Sequence, residues 1–183
     1  AMSSSDPHPS VAVFDASFRA RVLASSAFQE WRGRVCGLAR AEFSSLSAIE
    51  QRCALINIIN LLQLHACIET RPAQGMVDRL EWACTVGYTV SSLGNVSLSD
   101  LEAVFFHGNK ARPRLLGLLQ HVHPISMPRS HPLAEHVLRP PSGDLTFLLW
   151  RGQLSSPSPV PVLPTTLETI IANMRTQFHL RHV

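Results

Sequence analysis

The stretch Ser47-Ala48-Ile49-Glu50-Gln51-Arg52-Cys53-Ala54-Leu55-Ile56-Asn57-Ile58-Ile59-Asn60-Leu61-Leu62-Gln63-Leu64-His65-Ala66-Cys67-Ile68-Glu69 decides the fold. Ser47 followed three residues later by Glu50 is a capping box, in which hydroxyl and carboxylate satisfy each other's orphan amides. The helix it opens runs to about Glu69, where Arg71-Pro72 stops it. So long and apolar a helix belongs at the centre of a domain, with other elements packed around it.

Its polar residues are the informative ones. At about 100° per residue, Asn60, Leu64, Asn57, Leu61 and His65 share an arc of about 140°. Buried amides and imidazoles cost about 1–3 kcal/mol each unless they find partners. Two readings follow. In one, Asn57 and Asn60 tie down backbone in a neighbouring β element and loops, and His65 bonds a carbonyl. In the other, His65 faces a cleft as a base or ligand-binding group, with an asparagine orienting it.

N-terminal to this helix, residues 1–9 read as a cloning remnant and a flexible lead, and residues 10–183 as one globular domain. Phe14, Phe18 and Val22 recur at helical spacing, as do Phe28, Trp31, Val35 and Leu38. On the C-terminal side, Cys84–Val90 is rich in β-branched residues, and Leu93–Val96 supplies a turn and return strand. Ser97 and Ser99 offer caps for a helix to about His107, ended by Gly108-Asn109. Residues 113–122 suit a short helix, and 123–143 a Pro- and His-rich connection. Leu145–Trp150 reads as a buried strand. Ser155–Pro164 is proline-rich and extended, and its Ser155–Pro159 run suits a docking or modification loop. Thr165 and Glu168 form a second capping box, opening a helix to about His179. The expected class is therefore α+β, predominantly helical, around the helix at about 48–69, with a small sheet from about 84–96 and 145–150.

Composition narrows the function classes. With 183 residues, 45% of them hydrophobic, the chain can bury a substantial core. No apolar run approaches the ~18 residues of a membrane span. The net charge of +3 is small and its arginines are scattered, which argues against nucleic acid beyond a weak, nonspecific mode. Cys36, Cys53, Cys67 and Cys84 sit in apolar surroundings without Cys-x-x-Cys pairing, as free thiols of a reducing cytoplasm do. His121, His123, His131 and His136 lack the spacing of a zinc site, so neither metal nor cofactor is expected.

Two patches carry a family resemblance. Ala54–Ala66 resembles the "W-I-N-x-Y-N-x-L-x-x-H-A" helix of the family called domain of unknown function 547. Val96-Ser97-Leu98-Ser99-Asp100-Leu101-Glu102 is similar to its "S-L-D-D-I-E" helix start, with Phe106-His107-Gly108-Asn109 in place of "L-R-G-N". A weaker match sets Gly143–Pro157 against its "D-P-R-x-H-F-A-L-x-x-G-A-x-S-C-P" strand and turn. Together these cover about residues 45–160. The resemblance implies a fold more than an activity, and a domain that belongs to a larger protein.

It also implies a site. A helix histidine facing the cysteine of the family's "S-C-P" turn resembles a thiol–imidazole dyad, in which the imidazole stabilises the thiolate nucleophile. Here the aligned residue is Ser156, or Ser155 if the register shifts by one, and the family's arginine is replaced within Asp144-Leu145-Thr146. A serine hydroxyl is far harder to ionise than a thiol. The expectation is thus a degenerate site, with Asn57, Asn60, His65, Ser155 and Ser156 as binding residues of a non-catalytic scaffold domain with a protein partner, in a larger cytoplasmic assembly. The alternative is a papain-like hydrolase or transferase using Ser156 and His65, with Asn57 as helper.

Overall fold

The computed structural model describes residues 15–70, 76–106, 108–109, 127–137, 145, 148–149 and 160–182. The expected lead over residues 1–9, the helix over 113–122 and the Ser155–Pro159 run lie outside them.

Among the described residues two short helices come first, α1 (Ala16–Ala24) and α2 (Ser26–Val35). Asp15 caps α1, its carboxylate accepting the Phe18 N–H at 2.6 Å and the Ser17 hydroxyl at 2.7 Å. Ser25 joins the two helices: its hydroxyl donates to the Val22 carbonyl and accepts the Phe28 N–H. Two 3-10 turns, Cys36–Arg40 and Phe43–Ser45, then lead into the long helix α3, Ala48–Glu69.

The capping box forms as the sequence predicts. The Glu50 carboxylate accepts the Ser47 backbone N–H at 2.8 Å and its hydroxyl at 2.6 Å. Those bonds hold the Glu50 pKa below the usual carboxylate range. The other end is finished by three residues. Thr70 donates N–H and hydroxyl to the Ala66 carbonyl, Trp82 Nε1 donates to Thr70 Oγ1, and Arg19 of α1 donates to the carbonyls of Ile68 and Glu69. A cation on these last carbonyls also opposes the negative end of the helix dipole. Buried side chains lie on every side of α3, with Leu55, Ile56 and Ile59 at most 1% exposed. That is the signature of a helix at the centre of a fold, with α1 and the later helix Leu98–Phe106 packed against it.

The β element is a two-stranded antiparallel hairpin, β1 (Gly87–Val90) and β2 (Gly94–Ser97), pairing Tyr88 with Val96 and Thr89 with Asn95. Gly94 has φ of +72°, a region that side chains disfavour, and a Cβ on Gly87 would sit 2.7 Å from the Val96 carbonyl oxygen. The hairpin runs directly into α5 (Leu98–Phe106), capped by Ser97, whose N–H and hydroxyl both donate to Asp100. Beyond α5, Gly108 and Asn109 take left-handed conformations and Asn109 N–H returns to the Ala103 carbonyl, the helix stop the sequence predicts.

Three expectations need correction. A helix, α4 (Met76–Thr85), precedes the hairpin, so Cys84 and Thr85 end a helix rather than begin a strand. Leu145 and Leu148 are in 3-10 conformation and Leu149 in none, so the described part of 145–150 adds no strand to the sheet. These leucines are buried all the same. The last helix, α6, is Leu167–His182, and its first intrahelical bond starts from the Thr166 carbonyl. The cap is therefore Thr166, one residue after the Thr165 box.

His136, at the end of the Pro132–His136 3-10 turn, lies edge-on to the buried Phe43 ring at 5.2 Å between centroids. Burial pushes its pKa below the ordinary 6.5, with the nearby Glu135 opposing. The unfolded chain therefore takes up this proton first, so the His136 contribution to stability is present above pH 6.5 and lost as pH falls below it. Urea midpoints should begin to decline below that pH, less steeply in His136→Gln. An identical slope in the variant would contradict this. The Asp15 and Glu50 caps, whose pKa values are lowered from 3.8 and 4.5, add their losses only at more acidic pH.

Candidate functional site

The polar face of α3 resolves into three internal connections. Asn57 lies half-buried against the segment before α6: its Nδ2 donates to the Val162 carbonyl at 2.8 Å, and its Oδ1 accepts the Val162 N–H at 2.8 Å. One side-chain amide thus serves as a strand neighbour would, across 105 residues of chain. Asn60, 5% exposed, donates Nδ2 to the Leu148 carbonyl at 2.9 Å. The same device recurs outside α3, where the Asn109 amide pairs with N–H and carbonyl of Met127.

His65 takes a different environment. Its Nδ1 is 2.8 Å from the Tyr88 hydroxyl, and that hydroxyl is also 3.4 Å from the Leu61 carbonyl. Its Nε2 is closed to solvent and 3.1 Å from Glu69 Oε1, but off the N–H axis, so the contact is one of charge and not an aligned hydrogen bond. Trp31 and Phe28 of α2 stand edge-to-face with the imidazole at 4.8 and 5.8 Å, and Arg32 pairs with Glu69 at 3.3 Å. A neutral ring protonated on Nε2 accepts from Tyr88. A charged ring donates to it, and Tyr88 then passes its proton toward Leu61. In either state Nδ1 is engaged by Tyr88, and Nε2 is closed to solvent against Glu69. Burial, with the Glu69 charge second, pushes the Tyr88 pKa well up, so its hydroxyl stays neutral.

Of the two sequence readings, the first gave the asparagines backbone partners and His65 a carbonyl, and the second gave His65 a cleft. The asparagines have their backbone partners; His65 has a hydroxyl and a carboxylate instead. Ser155 and Ser156 lie outside the described residues, as do His121 and His123. Burial raises the thiol of Cys67 to about 11 and that of Cys53 above its ordinary value, which keeps both protonated and inert. Among the described residues no cluster of three or more His, Cys, Asp or Glu side chains could hold a metal ion.

Beside the asparagines runs a cleft of about 590 Å³ that the helix face only hinted at. One wall is α3, through Ala54, Ile58, Leu61 and Leu64 together with Asn57 and Asn60. The other comes from the 38–46 segment, through Leu38, Phe43 and Leu46, and Val160 and Pro161 also line the cleft. Leu61 and Leu64 were legible as neighbours of Asn57 and Asn60; on the opposite wall Leu38 belonged to a helically spaced set, whereas Leu46 carried no periodic signal. His65 lies outside the cleft. Val160 and Pro161, of the proline-rich Ser155–Pro164 segment, are among its described lining residues. A second cleft of about 570 Å³ lies over the hairpin and is mixed in character, lined by Thr89, Asn95 and Asp100 as well as Tyr88 and Val96.

Compared with family models, with curated proteins and with solved structures, the chain matches none of them. Among the described residues no helix is long and apolar enough to cross a membrane.

Proposed function

We propose that this domain is a non-catalytic protein-interaction module of a larger cytoplasmic assembly, holding its partner in the apolar cleft along α3. The observation that carries the reading is the division of labour on that helix. Asn57, Asn60 and His65, the groups with chemistry to offer, are hydrogen-bonded to Val162, Leu148 and Tyr88 of the same chain, and the second His65 nitrogen lies against Glu69, closed to solvent. The neighbouring Leu61 and Leu64 are half-buried and line an open apolar cleft. A contiguous apolar surface of this kind marks interaction sites more often than chance.

The arginines support the same reading over nucleic-acid binding. Arg19 caps α3, Arg32 pairs with Glu69 and Arg34 with Glu30, so each of these cations serves its own chain. In the alignment expected from the sequence, a serine would stand at the cysteine position of the domain of unknown function 547 family, and a serine hydroxyl is far harder to activate than a thiol. The purified protein should turn over no peptide, ester or amide substrate and take up no serine-directed fluorophosphonate. Turnover that Ser156→Ala abolishes would overturn the proposal and establish the hydrolase.

A further inference from the structure

The chemistry of the cleft selects the form its partner must take, granted the interaction reading above. An extended peptide laid in a cleft brings backbone N–H and C=O groups that need partners, each costing free energy if buried without one. This cleft has few to give. Asn57 uses both its amide atoms on Val162, and Asn60 bonds Leu148. On the opposite wall, the carbonyls of Phe43 and Leu46 already accept Gln51 Nε2, and the Glu42 carbonyl accepts the Ser45 hydroxyl. A helix satisfies its own backbone and can lie on such a surface without that penalty.

The shape agrees. Ala54, Ile58, Leu61 and Leu64 form a stripe at helical spacing, and the ten-residue rise from Ala54 to Leu64 is about 15 Å, the length of three turns. Such a stripe receives a partner's apolar residues at i, i+3 or i+4, and i+7. Charge completes the match: Glu42 is exposed at the cleft and is the charged side chain among its described lining residues.

We infer that the cleft binds an amphipathic α-helix of about three turns, apolar face inward, with a lysine or arginine set against Glu42. The test is selection from two displayed peptide libraries, one of amphipathic helices and one of extended proline-rich sequences, followed by calorimetry on purified winners. Helices should be enriched, carrying an apolar stripe and a basic residue. Leu61→Glu, or Leu64→Glu should the first variant fold poorly, should weaken them by at least roughly tenfold. Glu42→Lys should weaken a lysine-bearing helix, and a Lys→Glu change in that peptide should restore it. Extended or acidic winners that lose binding on Leu61→Glu would overturn the helix inference and leave the interaction module standing. If no peptide's binding responds to Leu61→Glu or Leu64→Glu, both fall. If only small apolar compounds compete for this face, both fall as well.

Discussion

Asn57→Leu should lower the unfolding free energy by about 2–4 kcal/mol, although leucine is similar in size and the site is half-buried. The loss is not one of packing. Val162 is 1% exposed, and its N–H and carbonyl have the Asn57 amide as their partner. Leucine leaves both groups buried and unpaired, and leaving a buried polar group unsatisfied costs far more than a paired one contributes. Asn57→Asp should fail too. It keeps an acceptor for the Val162 N–H but sets a carboxylate against the Val162 carbonyl. The tie joins α3 to the segment that carries Val162 and Leu167 into the core, so the loss should appear as a lower urea midpoint with Val162 amide exchange accelerated first.

His65→Ala should cost a similar amount, about 2–4 kcal/mol, for a different reason. The imidazole fills the space between Trp31, Phe28 and Tyr88, so truncation opens a cavity where α2, α3 and β1 meet. It also removes the nearest partner of the Tyr88 hydroxyl, whose remaining contact to Leu61 is 3.4 Å. Tyr88→Phe alone should cost only about 1 kcal/mol, because the ring stays and one hydrogen bond goes. In a double-mutant cycle the two changes should couple by about 0.5–2 kcal/mol. A histidine kept for catalysis behaves otherwise: replacing strained active-site groups is commonly neutral or stabilising.

Local signals made much of the fold legible. Ser47 with Glu50 and Gly108-Asn109 each name a helix end through short-range hydrogen bonding, and each end is where the sequence puts it. Of the two caps offered for the helix after the hairpin, Ser97 and Ser99, Ser97 bonds Asp100. The 145–150 run shows the limit of such reasoning. A short apolar stretch looks the same to periodicity whether it is a buried strand or a buried turn. What decides is where its carbonyls find donors, and Leu148 finds one in Asn60, 88 residues away, rather than in a neighbouring strand. Helix α4 was hidden because Cys84-Thr85-Val86 has strand-like composition, and only the tertiary setting makes Thr85 the end of a helix.

The candidate site was half legible for the same reason. Helical geometry alone puts Asn57, Asn60, Leu61, Leu64 and His65 on one arc. It does not say that the imidazole turns toward Tyr88 and Trp31 while the leucines face an open cleft. That division depends on the 3-10 turns at residues 36–45 and on a hairpin 23 residues beyond the histidine, neither of which is encoded in the helix.

The account divides the α3 face into polar residues that hold the fold and apolar ones that are free to bind. The most direct measurement is the unfolding free energy of Asn57→Leu, His65→Ala and Leu61→Glu under one set of conditions. The first two should each lose about 2 kcal/mol or more, while Leu61→Glu stays within about 1 kcal/mol of the parent protein. The reverse order, with the polar variants neutral or stabilised and Leu61→Glu unfolded, would show that the leucines belong to the core and the polar groups serve chemistry, contradicting the account.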